Sequence, residues 1–427
     1  MAYSGFFYPP YNKSTRHFFT LKYTIFIISA LGLDFHYCLD YTNDLIWIPL
    51  TLILLDFTNI DFDQLFGLND DTNPIMMLIW IVPIIIFVFY GQRIQLTITS
   101  GEIKKGIKKL EDYKTKSRNE LIDYIKKNMN PKDDPTKKID RFLDYFTIMP
   151  VDMDPNGIVS KVRHIVRARE DYSREHVKSL SPQTSDLELT KIQTLLEIAT
   201  SLQMIYKVIN HLYLTAKKQN NYPLILPLQM ILPFILEEAE AMHKAIPAFK
   251  MGQPIGDGIG PMVVGKMMLD TKKESIAFQT VLSEIQYDGR KLFLLKAEGP
   301  GSTVGRPGDA VESIISKNKP DIIIMVDAAL KMEGEESATI AQGFGAAIGG
   351  IGTERFQIED IATKNNIPIF AIVIKQSVKE AITLMTKEIA DKADNVRSQI
   401  YEMIHDNTEP GQSILLIGVG NTMGVPQ

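Results

Sequence analysis

The chain has 427 residues, which is long enough for two or three domains with a substantial core. Its net charge of -5 leaves no excess of lysine and arginine to neutralise phosphates, so we expect no nucleic-acid partner. Cys38 is the single cysteine, which excludes intrachain disulfides and cysteine-based zinc clusters. The seven histidines show no His-x-x-x-His spacing, and the sequence predicts neither a metal site nor a particular cofactor.

Residues 1–73 are predicted to form a membrane-associated N-terminal segment. The segment contains two apolar runs, at 23–33 and 45–55, with aspartates at their ends. Each run is about eleven residues long, which is too short for a straight membrane span. The runs fit a re-entrant or interfacial hairpin, or one additional span.

Residues 74–91 are predicted to form a transmembrane helix. The run from Pro74 to Tyr90 holds no charged residue, and a helix of this length nearly crosses a hydrocarbon core of about 30 Å. A buried core helix is the alternative, but the run has no polar face to meet water.

The charges on either side of this run predict its orientation. Aspartates precede it, whereas lysines and arginines follow it from Arg93 onward. The positive-inside rule then places everything after residue 91 in the cytoplasm. We therefore expect a cell-membrane protein with a cytoplasmic C-terminal domain and with membrane lipid as a partner.

Residues 92–250 are predicted to be a helical cytoplasmic region. Apolar residues recur at helical spacing among long charged side chains over 102–129, which predicts an exposed stalk or the first helix of a bundle. Pro223, Pro227 and Pro233 are expected to interrupt the last helical pattern. The other helical patterns lie at 136–146, 156–178, 186–217 and 223–246.

Residues 251–427 are predicted to form an α/β domain, because glycine and β-branched residues become frequent after Met251. Strand and helix patterns alternate, which favours a mostly parallel sheet with helices on both faces. The architecture expected is therefore this C-terminal α/β domain, preceded by a helical region and an N-terminal transmembrane segment. The predicted strands are 277–284, 291–297, 321–327, 337–342, 368–374 and 413–418, and the predicted helices are 260–270, 308–317, 356–364 and 376–405.

The stretch from Lys319 to Leu330 predicts a strand buried on both faces, with Asp327 at its carboxyl end. Ligands of open α/β sheets lie outside the carboxyl ends of the strands, so this acid is the first candidate for function. A carboxylate in this place can also cap a helix or hold a loop. The strand alone does not decide between the two roles.

Four glycine-rich loops lie at expected strand ends or helix starts, at 252–261, 298–309, 343–355 and 418–424. Glycine permits close backbone approach and positive φ, which suits contact with a ligand or a peptide but also serves ordinary turns. The candidate ligand-binding residues in these loops are Gly256, Gly258, Gly349, Gly350, Gly352, Gly418, Gly420 and Asn421.

Two common kinds of site are not predicted. The sequence has no Gly-Lys-Ser/Thr for a triphosphate loop, and no helix is expected after the glycines of 418–424, which argues against a Rossmann cofactor. His405 is the only histidine after residue 251 and lies near the end of a long predicted helix. That position argues against a Ser-His-Asp triad.

Three segments resemble the signature segments of the hydrogenase maturation endopeptidases and of the spore germination protease: Gly256–Pro261, Val326–Ala328 and Gly418–Asn421. Those families share a phosphorylase/hydrolase-like α/β fold, so the resemblance implies that fold here over about 175 residues. The similarity to the germination protease extends to Ala338–Gln342 and to Ile348–Arg355, in place of its Thr-Ile-Gln-like strand and glycine-rich loop.

The order of these segments differs from the order in those families. There the Gly-x-Gly-Asn strand comes first and the Asp-Gly-containing helix follows it, whereas here the strand comes last, as in a circular permutation. Permutation is tolerated when the new ends lie close together at the surface. It predicts that residues 418–424 pack beside residues 254–260.

Asp257 and Asp327 match the two acidic positions of those families, which are metal ligands in one family and proposed protease carboxylates in the other. The histidine of the maturation enzymes has no counterpart here, so the resemblance does not extend to their metal site. Two neighbouring carboxylates can share a proton and activate water, because repulsion between like charges raises one pKa. The alternative is that both aspartates only cap helices and take part in no reaction.

The whole chain is also similar to a domain-of-unknown-function family of archaeal membrane proteins. The similarity includes the segments Phe142–Asp152 and Gly418–Val425. It implies no reaction.

Two functions are compatible with the sequence. The first is a membrane-anchored peptidase-like hydrolase in which Asp257 and Asp327 form an acid/base pair and the 343–355 loop lines the substrate cleft. The second is a non-catalytic membrane-tethered adaptor that binds a protein, a peptide or a small ligand. The sequence identifies neither substrate nor cofactor, and it is compatible with a homo-oligomer.

Overall fold

The computed structural model describes residues 74–131, 133–145, 157–180, 182–219, 222–350 and 352–426. The predicted membrane-associated segment 1–73 lies outside the described residues. Tyr90–Ile348 and Gly352–Gln427 form one compact unit, whereas Met1–Phe89 and Gly349–Ile351 belong to another. The predicted domain bounds stay predictions.

The chain before residue 252 is helical in the part that the structure describes. Its helices are α1 (Pro74–Met129), α2 (Thr136–Leu143), α3 (Ile158–Leu180), α4 (Asp186–Lys218) and α5 (Tyr222–Met251). Apolar side chains at intervals of three or four residues make one face of each amphipathic helix, and in α4 this face buries Leu189, Ile192 and Leu196. Ser185 begins α4, because its side chain accepts a hydrogen bond from the N–H of Glu188 at 3.3 Å.

Helix α5 continues through Pro227, Pro233 and Pro247, so the prediction that prolines interrupt this segment is wrong. Pro223 lies in the first turn, where no intrahelical N–H bond is lost. Each interior proline removes one such bond and costs stability. Packing offsets this cost, since α5 contacts α4 and buries the apolar side chains of Ile225, Leu228, Leu232 and Ile235.

The predicted transmembrane helix over residues 74–91 is wrong, and so is the predicted location in the cell membrane. Among the helices of the described residues, none is both long and apolar enough to cross a membrane. Residues 74–91 open the 56-residue helix α1, which continues through a long charged stretch. Their uncharged run covers only about 25 Å at 1.5 Å per residue, short of a hydrocarbon core of about 30 Å. The expectation of a lipid partner rested on this helix.

A seven-stranded sheet with flanking helices occupies the described residues after Met251. The strands are β1 (Lys273–Ala277), β2 (Thr280–Tyr287), β3 (Arg290–Ala297), β4 (Ile322–Leu330), β5 (Ile340–Phe344), β6 (Ile369–Gln376) and β7 (Ser413–Gly418). The helices are α6 (Ile259–Met267), α7 (Pro307–Lys317), α8 (Thr353–Lys364), α9 (Val378–Ile382) and α10 (Lys387–Asn407).

The sheet is mixed, with the strand order β1-β2-β3-β7-β4-β6-β5. Parallel pairing joins β3, β7, β4 and β6, whereas β1–β2, β2–β3 and β5–β6 are antiparallel. The domain is α/β, but the prediction of a mostly parallel sheet is wrong. One reason is the turn at Asp288 and Gly289, whose φ values of 48° and 72° suit a two-residue hairpin that folds β3 back onto β2.

The four parallel strands have their carboxyl ends on the same side of the sheet, and we call this side the carboxyl edge. Helices α6 and α10 cover one face of the sheet, where Val263 and Ile400 are buried. Helices α7 and α8 cover the other face, where Ile314 and Ile358 are buried. Loops and helix starts at the carboxyl edge therefore have a rigid base on both sides.

Gly260→Ala tests the close packing of α6 onto the strand ends. Gly260 lies against the carbonyl oxygens of Val326 and Val419, and a methyl group there would collide with both. We expect the variant to lower the free energy of unfolding by about 2 kcal/mol, as overpacking does elsewhere. Denaturant unfolding of the purified protein measures this loss.

Gly101→Ala is the matched control. Among the described residues, no atom lies within 4 Å of a side chain built at Gly101 in α1, and alanine is the better helix former, so we expect this variant to be neutral or more stable. Equal unfolding midpoints for Gly260→Ala and wild type would contradict the packing described here.

Candidate active site

The turn that carries Asp257 is fixed to the carboxyl edge of the sheet. Residues Gly256–Gly258 form a 3₁₀ turn directly before α6. The N–H of Gly256 donates to the carbonyl oxygen of Thr383 at 3.2 Å. Nε2 of Gln376, a buried residue at the end of β6, donates to the carbonyl oxygen of Gly256 at 3.1 Å. Both polar groups of Gly256 therefore hold the turn in place.

The segment after β7 packs beside this turn. A side chain at Gly258 would collide with the carbonyl oxygen of Asn421, and a side chain at Gly420 would collide with that of Asp257. Gly420 has a φ of 130°, a value that side chains strongly disfavour. The predicted contact between residues 418–424 and 254–260 is confirmed.

The two oxygens of the Asp257 carboxylate differ in their contacts. Oδ2 accepts a hydrogen bond from the N–H of Asn421 at 2.7 Å. Among the described residues no group donates to Oδ1, and the residue is half-buried. Burial raises the pKa of Asp257, and the Asn421 N–H acts in the opposite direction. This carboxyl group is therefore held in place through one of its two oxygens.

The side chain of Asn421 continues the hydrogen-bond network towards the helical region. Nδ2 of Asn421 donates to Oγ of Ser302 at 2.9 Å, and Oγ1 of Thr194 on α4 donates to the same oxygen at 2.7 Å. The N–H of Ser302 donates to Oγ1 of Thr190 at 3.2 Å. Thr190, Thr194 and Ser302 were not predicted as site residues, because hydroxyl residues at distant places in the chain carry no sequence signal that they meet.

Asp327 lies at the carboxyl edge on β4, directly after Val326 pairs with Gly418 of β7. Its side chain is buried, and Oδ1 accepts a hydrogen bond from the N–H of Ala328 at 2.7 Å. The strand does not end at Asp327, as the sequence analysis expected, but continues to Leu330 in register with β6. Asp327 is therefore a strand residue rather than a loop residue.

Asp257 and Asp327 approach the carboxyl edge from opposite faces of the sheet. Side chains alternate along a strand, so Asp327 shares the face of Met325, which α7 and α8 cover. Asp257 immediately precedes α6, which packs on the other face. In the described part of the chain, burial and the Asn421 amide set the pKa of Asp257, with no repulsion from a second carboxylate. Their action as an acid/base pair stays a prediction.

Four of the predicted ligand-binding glycines surround the Asp257 turn. A side chain at Gly256, Gly258, Gly418 or Gly420 would collide with backbone atoms of a neighbouring segment. These glycines let the turn, α6 and the segment after β7 approach each other closely. Ligand contact at these positions, and at Asn421, stays a prediction.

The other three predicted ligand-binding glycines are Gly349, Gly350 and Gly352. Gly352 has a φ of 83° and begins α8. Gly349 and Gly350 belong to the other compact unit. Their role in ligand binding also stays a prediction.

Lys296 is a buried charged residue that the sequence analysis missed. It is 1% exposed at the end of β3, and Nζ donates to the carbonyl oxygen of Ala297 at 3.0 Å. Burial and the neighbouring charge of Lys273 lower its pKa to about 8, while Glu298 acts in the opposite direction. The sequence signal for this buried residue is a single charged side chain after the apolar run of β3.

Metal ligation is not evident at the two aspartates. In the residues that the structure describes, no group of three or more His, Cys, Asp or Glu side chains could hold a metal ion. Asp257 instead accepts the Asn421 N–H, and Asp327 accepts the Ala328 N–H. No cofactor is assigned to this site.

Two models of one family match successive parts of the chain. The model described as "Protein of unknown function (DUF1512) N-terminal domain" matches residues 77–252. The model described as "Domain of unknown function (DUF1512) C-terminal" matches residues 255–426. Together they cover most of the chain.

The chain is also similar to germination proteases. Those of Clostridium perfringens strains SM101 and 13 are each 28% identical to it over 186 residues, which are 40% of this chain and 55% of each protease. The chain therefore spans about half the length of the curated relatives it matches. No solved structure matches the chain.

These matches test the resemblances predicted from the sequence. Similarity to the germination protease and to a domain-of-unknown-function family is confirmed. Similarity to the hydrogenase maturation endopeptidases and an archaeal source stay predictions.

The stability of Asp257→Asn tests whether ionisation of the Asp257 carboxyl group destabilises the fold at neutral pH. Because burial raises the folded-state pKa of Asp257, its ionisation costs stability as the pH rises from the ordinary value of 3.8 through the raised value. Asparagine is neutral, and its oxygen still accepts the Asn421 N–H. We expect the variant to be at least as stable as wild type at about pH 7, with no such advantage at about pH 3, in urea unfolding.

Asp309→Asn is the contrasting control. Burial acts to raise the pKa of Asp309, but hydrogen bonds from Arg167 and Gln357 lower it overall. Its carboxylate therefore stabilises the fold above the unfolded pKa, and this contribution is lost as the pH falls through the lowered value. We expect Asp309→Asn to destabilise at neutral pH. Destabilisation by Asp257→Asn that grows with pH would contradict the cost assigned to Asp257.

Lys296→Met tests the buried amine. The lowering of its pKa from 10.5 to about 8 corresponds to about 3 kcal/mol, so we expect the variant to be more stable than wild type by up to that amount at neutral pH. Between about pH 8 and 10.5 the folded wild type is neutral while the unfolded chain is charged, so wild-type stability rises with pH. The advantage of methionine should shrink across that range. Equal advantages at about pH 7 and pH 10 would contradict the lowered pKa.

Proposed function

Because this chain belongs to the DUF1512 family and is similar over 186 residues to germination proteases, we propose that it is a peptidase-like hydrolase with Asp257 as its reacting carboxyl group. The observation that carries this proposal is the difference between the two carboxylate oxygens. The Asn421 N–H holds Oδ2, whereas Oδ1 has no donor among the described residues. The membrane anchor expected from the sequence forms no part of the proposal.

In the proposed reaction, Asp257 acts as a general base and then as a general acid. Oδ1 takes a proton from a water molecule, and the water oxygen attacks the carbonyl carbon of a peptide bond. The carboxyl group then gives the proton to the amide nitrogen as the C–N bond breaks, which releases an amine and a carboxylic acid and restores the carboxylate. A raised pKa makes this carboxylate a stronger base than an ordinary aspartate.

Ser302 is proposed to donate a hydrogen bond to the substrate carbonyl oxygen. Its Oγ accepts bonds from Oγ1 of Thr194 at 2.7 Å and from Nδ2 of Asn421 at 2.9 Å, so its own proton can point elsewhere. An acceptor for that proton within the protein is Oδ1 of Asn421, at the long distance of 3.3 Å. A closer substrate oxygen would replace this contact and bind more strongly as negative charge develops on it.

Asp327 is the second carboxyl group at the carboxyl edge of the sheet. Its burial and its bond to the Ala328 N–H suit a group that orients the end of β4 as well as one that reacts. The activity of an Asp327→Asn variant distinguishes these roles. A reacting group loses turnover with the fold intact, whereas an orienting group loses stability together with turnover.

A non-catalytic binding role is the second candidate. The bond between Asp257 and Asn421 joins segments 164 residues apart, which is a structural task that requires no reaction. In this role the glycine-rich loops around Asp257 bind a protein or a small ligand. Ligand binding would then survive the loss of the Asp257 charge.

Asp257→Asn is the direct test of the proposed reaction. We expect initial rates of hydrolysis of fluorescein-labelled casein to fall by at least about 100-fold, because asparagine can neither take up nor release the proton. The hydrogen bond with the Asn421 N–H remains possible, so circular dichroism and thermal unfolding should show an intact fold.

Asp391→Asn is the matched control, since Asp391 is an exposed carboxylate on α10. We expect it to hydrolyse casein at the wild-type rate. Wild-type turnover by Asp257→Asn would exclude Asp257 as the reacting group, and no turnover by the wild-type protein would favour the binding role.

A further inference from the structure

In the described part of the chain, the strand β5 forms one lateral edge of the sheet. It is the last strand in the sheet order and pairs only with β6 among the described residues. The N–H of Gly345 donates to the carbonyl oxygen of Ile369 at 3.0 Å, which fixes the alternation of inward and outward groups. In an antiparallel pair with this register, the N–H and C=O groups of Ile340, Gln342 and Phe344 point away from β6.

Two of the features by which proteins protect a sheet edge do not occur in this strand, since Ile340–Phe344 contains neither a charge nor a proline. Its Phe344 is 86% exposed, although its ring lies 5.3 Å from that of Phe370. By contrast, β1 at the opposite border carries Lys273 and Glu274. The edge at β5 is therefore suited to pairing with a further strand.

The described residues leave space beside Phe344. Among them, no atom lies within 4 Å of a side chain built at Gly343 or at Gly345. The exposed ring of Phe344 therefore has room beside it for a side chain from another chain. An apolar side chain is the natural occupant, because contact with the ring removes apolar surface from water.

We infer that β5 binds an extended peptide segment, which adds to the sheet as an eighth strand. A second copy of this chain fits less well, because a stable dimer buries about 1,200 to 2,000 Å² and a five-residue strand offers much less. An added peptide instead gains affinity from main-chain hydrogen bonds, and side-chain contacts at alternate positions give selectivity. The expected partner is an uncharged extended segment with an apolar side chain against Phe344.

The direction of the peptide connects this surface to the proposed hydrolysis, and this step alone rests on the proposed function. A peptide antiparallel to β5 runs in the same direction as β6, β4 and β7, and it leaves the sheet at the carboxyl edge. With strands about 4.8 Å apart, the added strand lies about 14 Å from β4, and the Asp257 turn is bound to the ends of its two neighbours, to Gln376 of β6 and to Asn421 after β7. Four or five extended residues span that distance at about 3.3 Å each. Cleavage is therefore expected about four or five residues beyond the bound segment.

Binding of a labelled peptide to the full chain tests the inference. The probe is a fluorescein-labelled ten-residue peptide of alternating valine and threonine with a lysine at each end, and fluorescence anisotropy gives its Kd. Gln342→Pro removes an outward N–H and leaves the β5–β6 hydrogen bonds in place, so we expect binding about tenfold weaker. Gln342→Leu keeps the N–H and should bind within about twofold of wild type.

A second measurement changes the peptide and leaves the protein untouched. N-methylation of the valine amides removes the donors that point towards β5 when a valine lies against Phe344, whereas the threonine amides keep theirs, and it should also weaken binding about tenfold. Equal binding of the methylated and unmethylated peptides, or of folded Gln342→Pro and wild type, would overturn the inference. Absence of peptide binding to wild type would overturn it as well.

Two further outcomes separate this inference from its alternatives. Light scattering that shows a dimer for wild type and a monomer for Gln342→Pro would assign the border to a second copy and overturn the inference. Binding is also measured on Asp257→Asn, in which the proposed reaction is blocked. Retained peptide binding by this variant supports the inference even if the wild-type protein hydrolyses no substrate.

Discussion

The hydrogen bond from the Asn421 N–H to the Asp257 carboxylate is the contact on which the candidate site depends. It joins the segment after the last strand to the turn before α6, and the glycines on both sides allow the backbones to meet. Thr422 strengthens the same junction, since its fully buried hydroxyl lies within 3.0 Å of the carbonyl oxygens of Glu298, Gly301 and Thr303. One junction therefore orders three loops at the carboxyl edge.

Local patterns in the sequence predicted much of the sheet and the place of Asp257. The apolar run of β7, the Asp-Gly helix start and the expected permutation together place residues 418–424 beside residues 254–260, as observed. This contact was predicted from the resemblance to the maturation endopeptidases and the germination protease, because the periodicity of apolar residues does not give the order of strands in a sheet. The mixed sheet was not predicted, although the Asp288-Gly289 pair is a hairpin signal that the sequence analysis did not use.

Features that depend on packing between distant segments could not be predicted. From the local sequence alone, the prolines of α5 are expected to end a helix. The helix is continuous in the structure, because it contacts α4 and buries its apolar side chains. Residues 74–90 satisfy a composition test for a membrane helix, yet no described helix meets the combined requirement of length and apolarity. The bond between Thr194 and Ser302 spans 108 residues, and nothing near either residue indicates it.

The separation of Asp257 and Asn421 in the chain has a consequence for synthesis. Ribosomes add roughly 5 to 20 residues per second, so the 164 residues between the two take about 8 to 30 s to follow. During that interval the nascent chain carries the aspartate without the amide that orients it. A growing polypeptide therefore cannot form the bond between Asp257 and Asn421 until elongation has passed residue 421.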